Sequence, residues 1–390
     1  MEELPQIPSD ISVSAREPKR PKRRLRVFDR VVWWLNVGAA FLLLLSYFAP
    51  GVNPTRFWPI AFLGLGYLVL AGVNLLFVFY FLLRRRRRAL LSVLVLILGW
   101  PALSLSFCFF SDPADTSLGS FKVMSYNTRL FDLYNWSHNE KTRAKMFALL
   151  QREKPELLCL QEFYERDGGE NQNLDTLKKL LNLPYVHVEY TLTIEKSGQH
   201  FGIATYSKYP IVTQGSIIFN NRSNNICIYT DILLDKDTVR VYNMHLQSIR
   251  FGYADHRFLN AVVSGEDAKD ELENSKNILR RIKRGFTRRA GQAQSIAAHM
   301  ASCPYPKIVC GDFNDTPISY TYHTISKGMD DAFLESGQGI GKTYSTAYPL
   351  PRIDYILHSP FYEGSGFEVI REELSDHYPI VCRLKKRPAE

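Results

Sequence analysis

Hydrophobic positions fall into two regimes along the chain. Between residues 31 and 110 they run almost without interruption: segments 31–49, 57–83 and 89–110 hold 19, 27 and 22 residues and no charge. Runs near or above the roughly 20 residues that cross a hydrocarbon core predict three transmembrane helices. Trp33, Trp34, Trp58, Tyr80 and Trp100 lie towards their ends, where interfacial aromatics collect. The first run is the shortest and contains Asn36. After residue 120 the pattern breaks into short apolar or alternating stretches. These predict strands at 121–126, 157–160, 201–206, 226–233, 239–244, 307–310, 353–357 and 379–383. Between them, spacing predicts helices at 141–153, 174–181, 267–284 and 288–301. The stretch 267–284 is charged all round and reads as a solvent-facing helix.

This pattern divides the chain into a basic N-terminus (1–30), a membrane segment (31–110), a polar linker (111–120) with Asp112, Pro113 and Gly119, and a soluble domain (121–390). A secretory signal would be a single apolar run with a cleavage site; here two more runs follow at once, so the anchor is expected to be retained. Arg16, Lys19, Arg20, Lys22, Arg23, Arg24, Arg26 and Arg30 precede the first run, and Arg84 to Arg88 separate the second from the third. Both clusters should face the cytoplasm. Two crossings lie between them, so the third carries the soluble domain to the extracytoplasmic side of a plasma or inner membrane.

Charge changes the picture once it is divided at the same place. The 390 residues carry 48 Lys plus Arg and 39 Asp plus Glu, a formal net charge of +9. Residues 1–110 hold 14 basic and 5 acidic side chains, which leaves 34 of each in residues 111–390. The basic excess belongs to the anchor and says nothing about nucleic acid. Cys159, Cys227, Cys303, Cys310 and Cys382 are odd in number, and Cys159 and Cys310 sit in apolar strand runs where buried thiols are usual. They do not decide the compartment.

Candidate chemistry repeats one motif: an apolar run ends and acidic, amide or imidazole side chains follow. The segments are Ser125-Tyr126-Asn127, Leu160-Gln161-Glu162, Asn243-Met244-His245, Gly311-Asp312-Phe313-Asn314, Arg352-Ile353-Asp354-Tyr355 and Ser375-Asp376-His377. Strand ends gather at one edge of a sheet in α/β folds, so these groups are expected to share a pocket. Taken singly they are weak. Asn127 could be a turn residue, and Asp354 could pair with Arg352 at the surface. Arg288, Arg289 and Gln292 read as a solvated helical face, and the remaining histidines match no motif.

In this order the segments resemble the endonuclease/exonuclease/phosphatase superfamily over essentially all of residues 121–385. Gly311-Asp312-Phe313-Asn314 with Asp315 and Pro317, and Ser375-Asp376-His377, are the most specific pair. The run from Phe201-Gly202 to Tyr209-Pro210 also looks like a family strand and turn, its Gly permitting close backbone approach. The resemblance implies an α-β-β-α sandwich of four layers with two packed mixed sheets. It also implies a Mg²⁺-dependent phosphoesterase, with Mn²⁺ as a substitute. A phosphoester resists water until its charge is neutralised, and Mg²⁺ does that through oxygen ligands. Glu162, Asn127 and Asp376 are the expected ligands. Asp312 would activate water, Asn314 would hold phosphate or water, and His377, oriented by Asp354, would donate to a phosphate oxygen. His245 would be a second phosphate donor or the acid for the leaving group.

The expected partners are the lipid bilayer, through residues 31–110, and a phosphate ester: a lipid headgroup, a small phosphoester or nucleic acid. No protein partner is implied. A nuclease of the same fold is the alternative, with Lys276, Arg280, Arg281, Lys283, Arg284, Arg288 and Arg289 as its basic patch. A catalytically dead binding protein is disfavoured, because Glu162, Asp312 and His377 are all retained.

Overall fold

A computed structural model describes residues 23–84, 87–169, 171–219, 224–249, 271–345 and 352–388. The basic residues Arg16, Lys19, Arg20, Lys22, Arg85 and Arg86 lie outside these.

The N-terminal part differs from the pattern of three simple spans. Helix α1 (Arg23–Ser46) is long and apolar enough over Val27–Ser46, 20 residues, to cross a membrane. After the short α2 (Pro54–Phe57), helices α3 (Pro59–Leu65) and α4 (Tyr67–Leu83) meet at a 66° bend. Helices α5 (Ala89–Leu98) and α6 (Trp100–Ser106) meet at 62°. Each bent pair is long enough only when counted as one span. The breaks fall at Gly66 and Gly99, the latter followed by Pro101, whose ring nitrogen has no proton for the carbonyl one turn back. Trp34, Phe41, Leu76 and Leu83 are exposed on these helices, whereas Asn36, Asn74 and Ser92 are fully buried. Ser92 Oγ lies 2.5 Å from Asn36 Oδ1 and 3.0 Å from Asn74 Oδ1. Apolar outside and hydrogen-bonded polar inside is the arrangement expected of helices solvated by lipid.

Residues 120–388 form two packed mixed sheets flanked by helices. The first sheet contains β1 (Ser120–Asn127), β2 (Leu157–Arg166), β3 (Tyr185–Ile194) and β4 (Gln199–Ser207). The second contains β5 (Ile211–Ile217), β6 (Ile226–Leu234), β7 (Asp237–His245), β8 (Lys307–Asp312), β9 (Asp330–Asp331) and β10 (Asp354–His358). Strands β11 (Tyr362–Val369) and β12 (Ile380–Lys386) return to the first. The orders are β11-β12-β1-β2-β4-β3 and β5-β6-β7-β8-β10-β9. At the centre of each sheet lies one parallel pair, β1 with β2 and β7 with β8.

Strands buried on both faces need apolar side chains at every position, which is why these run without alternation. Val123, Leu157, Cys159, Val241, Ile308, Cys310 and Ile356 fill the space between the sheets. On the outer face of the first sheet, Met124, Leu158 and Leu160 pack under Met146, Leu149 and Leu150 of α7 (Thr142–Glu153) and Leu177 of α8 (Asn173–Leu181). On the second, Tyr242, Met244, Val309 and Leu357 pack under Ala293, Ile296 and Met300 of α9 (Glu271–Ala301). All six cysteines are free thiols.

Helix α9 corrects two expectations. It is continuous through Gly285, and Ile278, Ile282 and Phe286 are buried against Ala61 of α3, so its first half is not solvent-facing all round. Arg289 and Gln292 are buried rather than solvated. The N-terminal helices also meet the loop after β8: Ile318 joins Ala40, Leu43, Tyr67 and Val95 in one cluster. Short helices α10 (Tyr320–Ile325) and α11 (Ala332–Ser336) complete that side. Two glycines are required by close backbone approach. A Cβ on Gly202 would lie 2.0 Å from the Glu189 carbonyl, and one on Gly311, at φ +143°, would lie 2.1 Å from that of Met244.

Candidate active site

Strand register assembles the site. In the parallel pair β7–β8, His245 stands opposite Asp312, and in the antiparallel pair β8–β10, Asp354 also stands opposite Asp312. In the other sheet, the last residue of β1, Asn127, pairs with Gln161 of β2. Glu162 follows within a register shift between Leu160 and Phe163, and its φ of +49° departs from strand geometry. Such an irregularity re-aims a side chain at the end of a ladder.

Asp312 is the hub. Its Oδ2 accepts from Asn127 Nδ2 at 3.1 Å and Asn314 Nδ2 at 3.0 Å, and its Oδ1 accepts from the Asn314 amide at 2.8 Å. The same Oδ2 faces His377 Nε2 at 3.6 Å and His245 Nε2 at 3.7 Å. Burial raises its carboxyl to about 6; Asp354 adds to this, while His377 and His245 oppose it. His377 Nδ1 lies 2.9 Å from Asp354 Oδ2. Burial works against a charged ring there, but Asp354 and Asp312 outweigh it and hold the imidazolium well above the ordinary histidine range. Arg352, the alternative partner for Asp354, is fully buried and bonded to Asp331 at 2.6 Å.

Glu162 lies 3.6 Å from His245 Nε2. Loss of water pushes its carboxyl up, and the charge of Asp376 reinforces this. Asp376 Oδ2 is 3.6 Å from Arg129 Nε, and the neighbouring Ser375 hydroxyl donates to the Asn127 carbonyl at 2.8 Å. The eight residues named from the sequence therefore share one edge of the sandwich.

Three further groups border the site without having been assigned a role. The chain turns through Arg129–Asp132 with positive φ at all four residues, bringing the Arg129 guanidinium 4.6 Å from the centroid of the Trp136 ring. Tyr344 lies edge-on to His377 at 5.1 Å. Beneath the site, Gln161 Nε2 donates to Asn243 Oδ1 at 2.7 Å, and Asn243 Nδ2 donates to the Ala204 carbonyl at 2.9 Å. Only the segments holding Gln161 and Asn243 carried a sequence signal. Arg129 and Tyr344 sit in loops, and the backbone bridge between Tyr344 and His377 joins residues with no periodic pattern between them.

Two donor sets could interest a cation. Asp312, Asp354 and His377 offer atoms within 4.8 Å of one another. In that set His377 Nδ1 lies 2.9 Å from Asp354 Oδ2, and Asp312 already accepts from Asn127 and Asn314. Glu162, Asn127 and Asp376 are all hard oxygen donors, and the charge of Asp376 raises the Glu162 carboxyl. A hard divalent cation would relieve that conflict, so the donor chemistry of the set suits one.

Residues 124–377 match the family model described as the Endonuclease/Exonuclease/phosphatase family, and residues 29–106 match one described as a domain of unknown function (DUF8431). No curated protein matches the chain. Among solved structures, the human Nocturnin catalytic domain with bound sulfate is 17% identical, covers 73% of this chain and 99% of its own, and has a TM-score of 0.49. An endonuclease/exonuclease/phosphatase family protein from Bacteroides thetaiotaomicron is 18% identical, covering 69% and 98% with a TM-score of 0.44. Sphingomyelinase C from Streptomyces griseocarneus is 19% identical, covering 68% and 99% with a TM-score of 0.43. At these values the likenesses carry no argument about substrate.

Proposed function

The chain belongs to the endonuclease/exonuclease/phosphatase family, and on that premise we propose that it is a membrane-anchored, divalent-metal-dependent phosphoesterase acting on a phosphodiester or phosphomonoester. The observation that carries this reading is the hub at Asp312: one carboxylate oxygen within 3.7 Å of two amides and two imidazoles. A carboxyl near 6 is ionised at neutral pH yet basic enough to take a proton from water. Asn127 and Asn314 together fill three of its four lone pairs and leave one on Oδ1 for that water. His377, kept protonated by Asp354, donates to a non-bridging phosphate oxygen. His245 faces both Glu162 and Asp312 and serves as a second phosphate donor or as the acid for the leaving oxygen.

Glu162, Asn127 and Asp376 would hold Mg²⁺, or Mn²⁺ in its place, which supplies charge neutralisation at the phosphate when bound. Three spans, two of them bent, would embed residues 27–106, with the site on the extracytoplasmic side. The inside-out helices support membrane embedding; the orientation rests on the arginine clusters.

The test uses the purified full chain in detergent. A generic phosphodiester should be hydrolysed, chelation should silence turnover, and Mg²⁺ or Mn²⁺ should restore it. Turnover indifferent to chelator would remove the metal from the mechanism. A panel of DNA, RNA, phospholipid and inositol phosphates then ranks the substrates. With equal numbers of acidic and basic residues in 111–390, nucleic acid is expected to rank below phospholipid.

A further inference from the structure

We infer that Gln161 and Asn243 are positioning residues: their buried hydrogen bond ties the two sheets together beneath the site and holds Glu162 where a divalent cation can be bound. This rests on the reading of Glu162, Asn127 and Asp376 as cation donors. The candidate site is split between the sheets. Asn127 and Glu162 belong to strands of the first, whereas His245, Asp312 and Asp354 belong to the second. Below them, Val123, Leu157 and Cys159 pack with Val241, Ile308 and Cys310. Apolar contact of this kind sets the spacing of the sheets but has no preferred direction. A hydrogen bond has one. Gln161 Nε2 donates to Asn243 Oδ1 at 2.7 Å, and both side chains are fully buried.

The bond reaches Glu162 through a bulge. Leu160 pairs with Ala204 and Phe163 with Gly202, so Gln161 and Glu162 together face Ile203. An extra residue of this kind interrupts the ladder. Asn243 crosses from the other sheet to its edge: Nδ2 donates to the Ala204 carbonyl at 2.9 Å and lies 3.4 Å from the Leu160 carbonyl and 3.2 Å from Thr205 Oγ1. Beyond β1, the Thr128 hydroxyl donates to the Glu162 carbonyl at 3.0 Å. With Nδ2 turned to carbonyls, Asn243 offers Oδ1 to Gln161, which must present Nε2 in return. Gln161 Oε1 is then left without a donor among the described residues. A buried acceptor with no donor costs stability, so stability does not account for the pair. Geometry does. Gln161 adjoins Glu162, Asn243 stands two residues before His245, and Glu162 Oε1 lies 3.6 Å from His245 Nε2. One tie therefore sets the carboxylate of the first sheet against the imidazole of the second.

The purified full chain in detergent is titrated with Mn²⁺, and free Mn²⁺ is counted by electron paramagnetic resonance at a temperature below every Tm. Gln161→Met and Asn243→Leu remove the amides at similar volume. Each should weaken Mn²⁺ binding by about 10–100-fold, the range for side chains that orient metal ligands. The double variant should lose no more than either single one, because each change cuts the same tie. Val123→Ala opens a cavity between the same sheets; it should lower Tm and leave Mn²⁺ affinity unchanged. Either amide variant alone carries the test if the other does not fold. Wild-type affinity in the amide variants overturns the inference, and so does an equal loss in Val123→Ala, which would make the effect one of stability. Losses that add in the double variant overturn it as well. A wild type that binds no Mn²⁺ overturns the metal reading and this role with it, whereas a wild type that binds, beside amide variants that bind as tightly, overturns only the role of the pair.

Discussion

Asp312 illustrates how burial and function pull in opposite directions on one side chain. It is 1% exposed, so its charge is costly, and the rise of its carboxyl to about 6 records that cost. Replacing it with Asn removes the base while leaving an amide of the same shape. Asp312→Asn should lower kcat on a phosphodiester by about 10²–10⁴-fold, the range of a positioned general base. Its Tm should change little, because removing a buried charge is offset by an Nδ2 that cannot accept from the Asn127 and Asn314 donors the carboxylate holds. Unchanged kcat would take Asp312 out of the mechanism. The site was legible at this scale because its chemistry uses charged and amide side chains at strand ends, where an apolar run makes them conspicuous. Asp354 was ambiguous beside Arg352 until Arg352 was found inside the protein against Asp331. Arg129 and Tyr344 were not legible, since what places them is a left-handed turn and a single backbone bridge.

Among elements, the strands of the sheet centres were legible and the edges were not. Strands β1, β2, β7 and β8 are buried on both faces and read as apolar runs. Strand β3 shows mostly half-exposed residues, β5 contains Thr213, Gln214 and Gly215, and β11 contains Gly364 and Gly366, so none carried a clear pattern. Helix α9 was read as two helices, 267–284 and 288–301; the structure runs it through Gly285, which packs close to Ile249 and Arg289. Backbone proximity gives one stability test here. Gly311→Ala forces a Cβ onto the Met244 carbonyl and should cost about 3 kcal/mol, lowering Tm by about 6–12 °C. Gly291→Ala, which meets nothing within 4 Å in α9, should be neutral or stabilising; equal Tm values for the two variants would refute the close approach. A second test concerns the segment joining α7 to β2. Burial raises the Glu153 and Glu156 carboxyls, but Lys122 at 2.7 Å from Glu153 and Lys208 at 2.9 Å from Glu156 outweigh it, so both stay below their ordinary value of 4.5. Folded values below unfolded ones mean that this stabilisation is complete above about pH 4.5 and is lost as pH falls through the folded values. Tm should therefore hold down to about pH 4.5 and drop below it, and Lys122→Met should reduce that drop. A variant as acid-sensitive as wild type would exclude the pair as a contributor.

For the whole molecule the question is how the candidate site is held relative to the apolar N-terminal helices. A flexible tether would let the soluble layers roam, and the sequence shows only that a short polar linker, 111–120, joins the two parts. The structure instead packs the layers onto the N-terminal helices. Ile318, four residues beyond Asn314, sits in the anchor's own cluster, and Cys108 and Gly339 exchange two backbone hydrogen bonds at 2.9 and 2.8 Å. Close fit at Gly64, where a Cβ would lie 2.4 Å from the Ile318 carbonyl, leaves little room for sliding. A docked domain has one fixed side, so topology becomes a sharp test. On the proposed topology Arg84 and its neighbours remain cytoplasmic, because moving that many cations across the bilayer is prohibitive, and a bent third span would export the soluble layers. Protease added to intact cells, with the outer barrier opened where one exists, should digest residues 121–390 while leaving an internal cytoplasmic marker whole. Protection of that region in intact cells, with cleavage after lysis, would place the site inside. The anchor would still hold it against a membrane, but the available phosphoesters would then be those of the cytoplasmic leaflet and the cell interior.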